Sequence, residues 1–488
     1  MFPPIEDIYR LAPELVACLF GMLIMVVDPF LPRERKDISA NLGLLGALAS
    51  MAAIVLMARH PGAGMYGLLV VDKFSIFLHM IIFGAAALVI LAADEYLKQE
   101  GILQGEFYAL VLFATCGMGI MAGAAELMTA FVGLEISSIS SYILACYRRA
   151  VLKSHESAMK YFLLGSFATA FFLYGVAMVY GATGTTFLAG IAASAGGAAG
   201  NQVLMKLGFA MLFVGMAFKI ATAPFQIWTP DVYEGAPTPV TALLASGPKA
   251  AAFAVLLRIV FTAFGDAGGT WFWIVWGSAA LTMIVGNFAA VVQSNVKRML
   301  AYSSIAHAGY MLVAVAAAGA AAETDSAAGI AAVLFYLAAY ALMKLGAFIV
   351  VSHLGGRGEQ RLALDDFAGL STRQPVTAAC LMLYLLSLLG LPLTAGFLGK
   401  LYIFKAALDA RLIWLVVIMA ITSVVGAFYY LRVIWVMYFR EAHEELTTAP
   451  VAPGVAAVMV VTAAGILVLF FFPGAVMNFA MQGAMALR

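Results

Sequence analysis

Residues 219–249 read K-I-A-T-A-P-F-Q-I-W-T-P-D-V-Y-E-G-A-P-T-P-V-T-A-L-L-A-S-G-P-K. Two apolar runs flank the stretch, Val203–Phe218 and Ala250–Phe264, each long enough to cross most of a bilayer. Between them lie Lys219, Lys249 and the prolines Pro224, Pro230, Pro237, Pro239 and Pro248. Pro224 cannot donate to the carbonyl four residues back, at Ile220. In hydrocarbon that carbonyl must be satisfied by protein or trapped water. A lysine beside such a break points to a wet, protein-lined cavity. A charge at the bilayer centre costs at least about 2.5–3.5 kcal/mol, which makes each lysine a candidate functional group.

Composition agrees with a membrane setting. Of 488 residues, 64% are hydrophobic and 11% charged, and the mean hydropathy is +0.99. A soluble domain is about half apolar and about a quarter charged. The reading is an all-α polytopic membrane protein. The net charge of +1 argues neither for nor against nucleic acid, but no basic stripe is present and no nucleic-acid partner is expected. The four cysteines, Cys18, Cys116, Cys146 and Cys380, lack metal-ligand or C-x-x-C spacing. No phosphate-binding glycine motif occurs, so neither nucleotide nor flavin is expected on this chain. The first apolar run has Glu14 and Asp28 at its ends and no basic segment before it, which reads as a retained helix.

Apolar length predicts about fourteen helices. They run 12–31, 38–58, 73–93, 107–124, 126–146, 157–181, 203–229, 238–264, 271–293, 299–320, 328–353, 375–408, 411–438 and 453–482. A Gly/Ala-rich loop with Gly196, Gly197 and Gly200 precedes the seventh. Arg33, Arg35, Lys36, Arg148, Arg149, Lys153, Lys297, Arg298, Arg357, Arg361, Arg373 and Arg440 fall in alternate loops. The opposite set is sparse: Arg10, Arg59, Lys73, Lys206, Arg411 and Arg488. The positive-inside rule then puts both termini outside.

Helix 12 contains L-L-S-L-L-G-L-P-L-T-A-G-F-L-G-K, with Gly390, Pro392 and Gly396 at its middle and Lys400 beyond. The broken helices, 7 and 12, are five apart. Helices 4–8 and 9–13 therefore form two five-helix units, the second inverted because five is odd. One membrane domain spans 1–488. Within it, 1–106 carries helices 1–3, 107–264 the first repeat, 271–438 the second, and 439–488 the last loop and helix 14. The repeat is inexact: Lys219 precedes its proline and Lys400 follows its own.

The buried ionisable residues each allow two readings. Glu135, in F-V-G-L-E-I-S-S-I-S-S-Y, either pairs with a lysine and tunes it or bonds to the serines beside it. The proton affinity of a buried lysine depends on nearby carboxylates, so a charge pair can drive proton uptake and release. For Lys249 the alternative of snorkelling is hard, since roughly 18 Å of helix separates it from either end. Lys400 reads as a terminal proton carrier or a snorkelling residue. His307, in Y-S-S-I-A-H-A-G-Y, reads equally as a relay or as a buried neutral ring bonded to a hydroxyl. Lys344, in A-L-M-K-L-G, bridges His307 and Lys400 or pairs within the bundle. Lys160, Arg258, Asp231, Glu234 and Arg432 read as interface or loop anchors, and His79 as a packing histidine.

A-P-F-Q-I-W-T-P-D-V-Y-E-G-A-P-T-P-V-T and H-E-S-A-M-K-Y-F-L-L-G-S-F-A-T-A-F-F-L-Y-G resemble the subunit N family of the proton-pumping NADH–quinone oxidoreductase, respiratory complex I. Related L, M and Mrp-type antiporter subunits carry histidines where this chain has Gln226, Val232 and Tyr233. The resemblance covers nearly the whole chain. It implies an antiporter-like membrane-arm subunit in a cell inner membrane, translocating protons while electrons pass from NADH to quinone elsewhere. Glu135 and Lys219 would form the interacting pair, Lys249 would link through His307 to a central hydrophilic axis, and Lys400 would end it. NADH, FMN, iron–sulfur clusters and quinone would serve the whole complex, none bound by this chain. Its partners would be other membrane-arm subunits, both antiporter-like and small, together with lipids. The alternative is a subunit of a Mrp-type cation/proton antiporter or a membrane-bound hydrogenase. A third is an assembly scaffold with structural lysines.

Overall fold

The computed structural model describes residues 4–195, 202–265, 270–320, 326–441 and 450–487. The loop glycines Gly196, Gly197 and Gly200 lie outside them, as does Arg488.

Among the described residues, thirteen helices are long and apolar enough to cross a membrane. Spans 1 to 6 are Ala12–Phe30, Asp37–Ala58, Lys73–Glu100, Glu106–Gly123, Leu127–Ala145 and Leu152–Thr183. Span 7 begins as Gln202–Ile220 and resumes as Trp228–Gly235. Spans 8 to 11 are Thr238–Ala263, Trp271–Val291, Val296–Ala320 and Ser326–Gly355. Span 12 is the fourteenth crossing, made of two short helices, Pro375–Leu389 and Ala395–Asp409. Spans 13 and 14 are Ile413–Phe439 and Pro453–Phe471. The chain is a multi-pass membrane protein.

The interior is built from spans 8, 10 and 11. The most apolar stretch of span 8 is wholly buried, and those of spans 10 and 11 are 94% and 89% buried, against 33% for spans 13 and 14. A helix apolar all round belongs inside. Lipid offers no hydrophobic drive between helices, so close packing needs small residues. Spans 4 and 5 meet at Gly117 and Gly133, where a Cβ on Gly117 would lie 2.6 Å from the Gly133 carbonyl oxygen.

Both breaks fall where the prolines predict, yet each helix stops early. Span 7 ends at Ile220, and Ala221 takes a left-handed φ of 66°. Pro224 disfavours helix at the residue before it, so the chain turns ahead of the ring. The freed groups find protein partners. Ala221 N–H donates to the Phe218 carbonyl at 3.0 Å and Thr222 N–H to the Ala217 carbonyl at 2.9 Å. The Trp228 indole also donates to Phe218, at 2.9 Å, and Ala223 N–H donates to Thr282 Oγ1 at 2.9 Å.

Span 12 stops at Leu389. Gly390 takes φ 88°, and both its N–H and that of Leu391 reach the Leu386 carbonyl at 3.0 Å. That is the left-handed glycine stop of a helix C-terminus. Gly396 begins the return so close to Ser387 that any Cβ would collide with its carbonyl oxygen.

Three features differ from expectation. Helix 14 is not continuous to 482: Pro473, lacking a donor, starts a separate helix, Pro473–Ala486. That piece packs on spans 3 and 11. A short antiparallel hairpin pairs Gly62–Gly64 with Leu69–Val71. Short helices also form at Ile5–Arg10 and Leu188–Ala195. Runs of three to eight residues carry too little periodicity to be read beforehand.

Candidate functional site

Span 10 supplies the middle of the site. Its Ser303, Ser304 and His307 are buried and point at spans 8, 11 and 13. Adjacent residues on a helix are turned by about 100°. Ser303 and Ser304 therefore serve different neighbours.

Ser304 serves Lys249. The Lys249 ammonium donates to the Ser304 carbonyl and to Ser304 Oγ, both at 2.7 Å, with the Tyr340 hydroxyl at 3.5 Å. Ser304 Oγ and Tyr340 OH are 2.6 Å apart. Ser303 serves Lys344, whose ammonium donates to Ser303 Oγ and to the Leu300 carbonyl, both at 2.8 Å. Ser303 Oγ then shares a short hydrogen bond with Tyr430 OH. Tyr430 OH lies 3.1 Å from His307 Nε2, and His307 Nδ1 lies 2.6 Å from Tyr336 OH. The result is an unbroken file: Lys344, Ser303, Tyr430, His307, Tyr336. Lys344 is 0% exposed and Lys249 and His307 1% each, so neither ammonium reaches the surface.

Lys400 stands at the second break. Its ammonium donates to the Leu389 carbonyl at 2.8 Å and lies 4.8 Å from the centre of the Tyr310 ring. The Tyr310 hydroxyl accepts from Asn287 Nδ2 at 3.0 Å, and Asn287 Oδ1 accepts from Tyr429 at 3.1 Å. No hydrogen bond joins Lys400 to the His307 file among the described residues.

Lys219 ends the first half of span 7, beside the first break. Its nitrogen faces aromatic rings, Tyr161 at 5.1 Å, Tyr142 at 5.3 Å and Phe218 at 6.0 Å. Trp228, the indole that caps the break, stacks on Tyr161 at 4.5 Å. The break thus builds an aromatic cage, which holds a cation by its ring quadrupoles, in place of the polar lining expected there. Glu135 is half-buried on span 5. No ion pair within 4.0 Å joins it to Lys219 among the described residues.

The secondary residues sort differently. Lys160 pairs with Asp231 at 2.7 Å, Arg298 with Asp231 at 2.7 Å and with Glu234 at 2.9 Å. These are anchors at a span end, and Arg432 reaches the Val291 carbonyl at 3.4 Å. Arg258 is buried and holds both oxygens of Asp72 at 3.0 Å. His79 is satisfied by Glu14 Oε1 and the Ser75 carbonyl, each at 2.6 Å. Among the described residues no group of three His, Cys, Asp or Glu is placed to hold a metal ion.

The sequence reading missed the hydroxyls. Tyr336, Tyr340 and Lys344 recur at four-residue steps on span 11, which stacks them on one face. That spacing, set against the Y-S-S-I-A-H-A-G-Y run, was the available signal.

Two interrupted helices around a buried file of lysines, hydroxyls and a histidine define a class: membrane proteins that work at discontinuous helices near the midplane. Comparison with known proteins narrows it. Residues 124–426 match the family described as NADH:quinone oxidoreductase/Mrp antiporter, TM. NADH-quinone oxidoreductase subunit N 2 of Koribacter versatilis (strain Ellin345) is 49% identical over 489 residues, covering 99% of this chain and 97% of the relative. NADH-quinone oxidoreductase subunit N 1 of Solibacter usitatus (strain Ellin6076) is 46% identical over 484 residues, covering 99% and 98%. A chain of respiratory complex I from Thermus thermophilus with bound aureothin superposes with a TM-score of 0.80 at 36% identity, over 96% of this chain and 98% of that one. The chain belongs to the NADH:quinone oxidoreductase/Mrp antiporter family, in its NADH-quinone oxidoreductase subunit N branch.

Proposed function

We propose that this chain is a proton-translocating membrane-arm subunit of an NADH–quinone oxidoreductase. Protons move through Glu135, Lys219, Lys249, Lys344, His307 and Lys400, with Ser303, Ser304, Tyr340, Tyr430 and Tyr336 as the hydroxyl links. The observation that carries the reading is the buried file from Lys344 to Tyr336. Each of its joints is a hydrogen bond between groups that both give and take protons, or a lysine that can give one. Electron transfer from NADH to quinone takes place in other subunits, which hold the NADH, FMN, iron–sulfur and quinone sites. This chain supplies the path and no redox cofactor. Neighbouring antiporter-like and small membrane subunits are its partners, in a cell inner membrane.

Residues 107–264 and 271–438 act as two inverted units, and the lysines and arginines of alternate loops put both termini outside. Corresponding pairs pack alike: spans 4 and 5 as 9 and 10, and spans 6 and 7 as 11 and 12. Pro224 and Pro392 mark the matching breaks.

The test is Lys219→Ala in native membranes, with NADH–quinone turnover and proton pumping measured together. Both should fall while the complex stays assembled. If both persist and sodium tolerance is lost instead, the antiporter reading replaces this one.

A further inference from the structure

Lys249 and Ser304 make the one hydrogen-bonded joint described between spans 8 and 10, yet those spans touch little of each other directly. Each packs mainly on other helices, span 8 on spans 3 and 11 and span 10 on spans 9 and 11. Span 11 supports both, and a direct tie between them still matters, because a slide of about 1.5 Å, one residue's rise, would part the lysine from the serine.

Glu359 meets that need. It lies in the turn Gly355–Glu359 after span 11, 8% exposed, with a left-handed φ of 52°. A non-glycine residue holds such a backbone only where its surroundings dictate it. Here they are four hydrogen-bond donors and one ion-pair partner, from four parts of the chain. Oε1 accepts from Thr238 N–H at 2.8 Å, Thr238 Oγ1 at 2.6 Å and Tyr96 OH at 2.8 Å. Oε2 accepts from Lys297 at 2.8 Å and lies 3.2 Å from Arg148. Thr238 opens span 8 and Lys297 lies in the first turn of span 10. One carboxylate therefore grips the same end of both helices. Lys249 lies about 17 Å along span 8 from that grip, and Ser304 about 10 Å along span 10. The loops join there as well: Val296 N–H donates to the Leu362 carbonyl and Leu364 N–H to the Ser294 carbonyl, both at 2.8 Å.

We propose that Glu359 is a positioning residue for Lys249: it locks spans 8 and 10 in register and thereby keeps the ammonium on Ser304. The inference rests on the proton-path reading above. With four donors and an ion pair on its two oxygens, Glu359 is an anchor and not a carrier.

The experiment is a double-mutant cycle in native membranes holding the assembled complex. It compares Glu359→Gln, Lys249→Ala and the pair. Complex content is read by NADH oxidation with an artificial acceptor. Pumping is the readout, with quinone-reductase turnover where pumping falls below detection. Glu359→Gln should lower it about tenfold at unchanged complex content. In the Lys249→Ala background it should add less than about twofold, since the two act through one joint. Equal losses in both backgrounds, or no loss, overturn the proposal. Normal pumping by Lys249→Ala alone overturns the path reading instead, whatever Glu359→Gln does. Should Glu359→Gln fail to assemble, Thr238→Val keeps every charge and removes one tether to span 8. It should cost about threefold in the same cycle, and an unchanged rate sinks the idea equally.

Discussion

Lys400 donates to the carbonyl oxygen of Leu389 at 2.8 Å, across the gap where span 12 stops being helical. The last carbonyls of a helix lack intrahelical partners and carry partial negative charge. An ammonium is well placed there. At the first break the corresponding cap is the Trp228 indole, a neutral donor. Only the second break therefore has a cap whose charge can change. Lys400→Ala should lower pumping about tenfold or more, and Lys400→Arg should recover assembly and part of the rate. Proton uptake into sealed vesicles per NADH oxidised measures both.

Among the described residues, Tyr430 is the one hydroxyl that links Ser303 to His307. Tyr430→Phe keeps the ring and cuts the file. Pumping should drop about tenfold or more, while stability changes by only about 1 kcal/mol. Tyr384→Phe, whose hydroxyl is bonded to the Met459 carbonyl and Thr462 away from the file, is the control and should pump nearly normally. Equal rates for the two variants would remove Tyr430 from the path.

Lys344 sets function against stability. It is wholly buried, with two neutral oxygens as partners and no carboxylate among its hydrogen bonds. A buried ammonium with no counter-ion carries a desolvation cost of several kcal/mol that two neutral hydrogen-bond partners return only in part. Lys344→Met should therefore raise the thermal midpoint of the detergent-solubilised protein while pumping falls. A lower midpoint with normal pumping would mean that the lysine is kept for structure.

Acid should loosen the span 8 and span 10 clamp. Burial pushes the Glu359 carboxyl up, but Lys297 and Arg148 and the hydrogen bonds outweigh it and hold the group below its ordinary range. A depressed folded value contributes stability in full above the unfolded one, about 4.3. That contribution is lost as pH falls through the folded value. Unfolding followed from pH 6 downward should show a decline that begins near the unfolded value. Glu359→Gln should be less stable at pH 6 and flatter below it.

Much of this was legible beforehand, for identifiable reasons. Span lengths follow from bilayer thickness, so the ends of spans 2, 4 and 5 fall within a residue or so of expectation. Lys219, Lys249, Lys344 and Lys400 stood out because a cation in an apolar run has few bland explanations. The tyrosines did not, because Tyr336 or Tyr430 in an apolar helix reads as filling until its hydroxyl is seen at a partner. Glu359 was hidden for the opposite reason. It sits among loop arginines, where a carboxylate looks like ordinary surface charge, and only the folded turn drives it inward. The aromatic cage of Lys219 depends on Tyr142, Tyr161 and Phe218 converging from three helices, which no local pattern encodes.

Span 8 meets no lipid along its most apolar stretch, and it carries Lys249 and Pro248 at its middle. As a lone newcomer released sideways from the insertion machinery it would be a poor guest in the bilayer. It needs spans 3, 4 and 11, made before and after it, to close around it. Biogenesis must therefore shelter this helix until span 11 has been synthesised, so a ribosome halted before residue 326 would leave it as the segment most exposed to quality-control proteolysis.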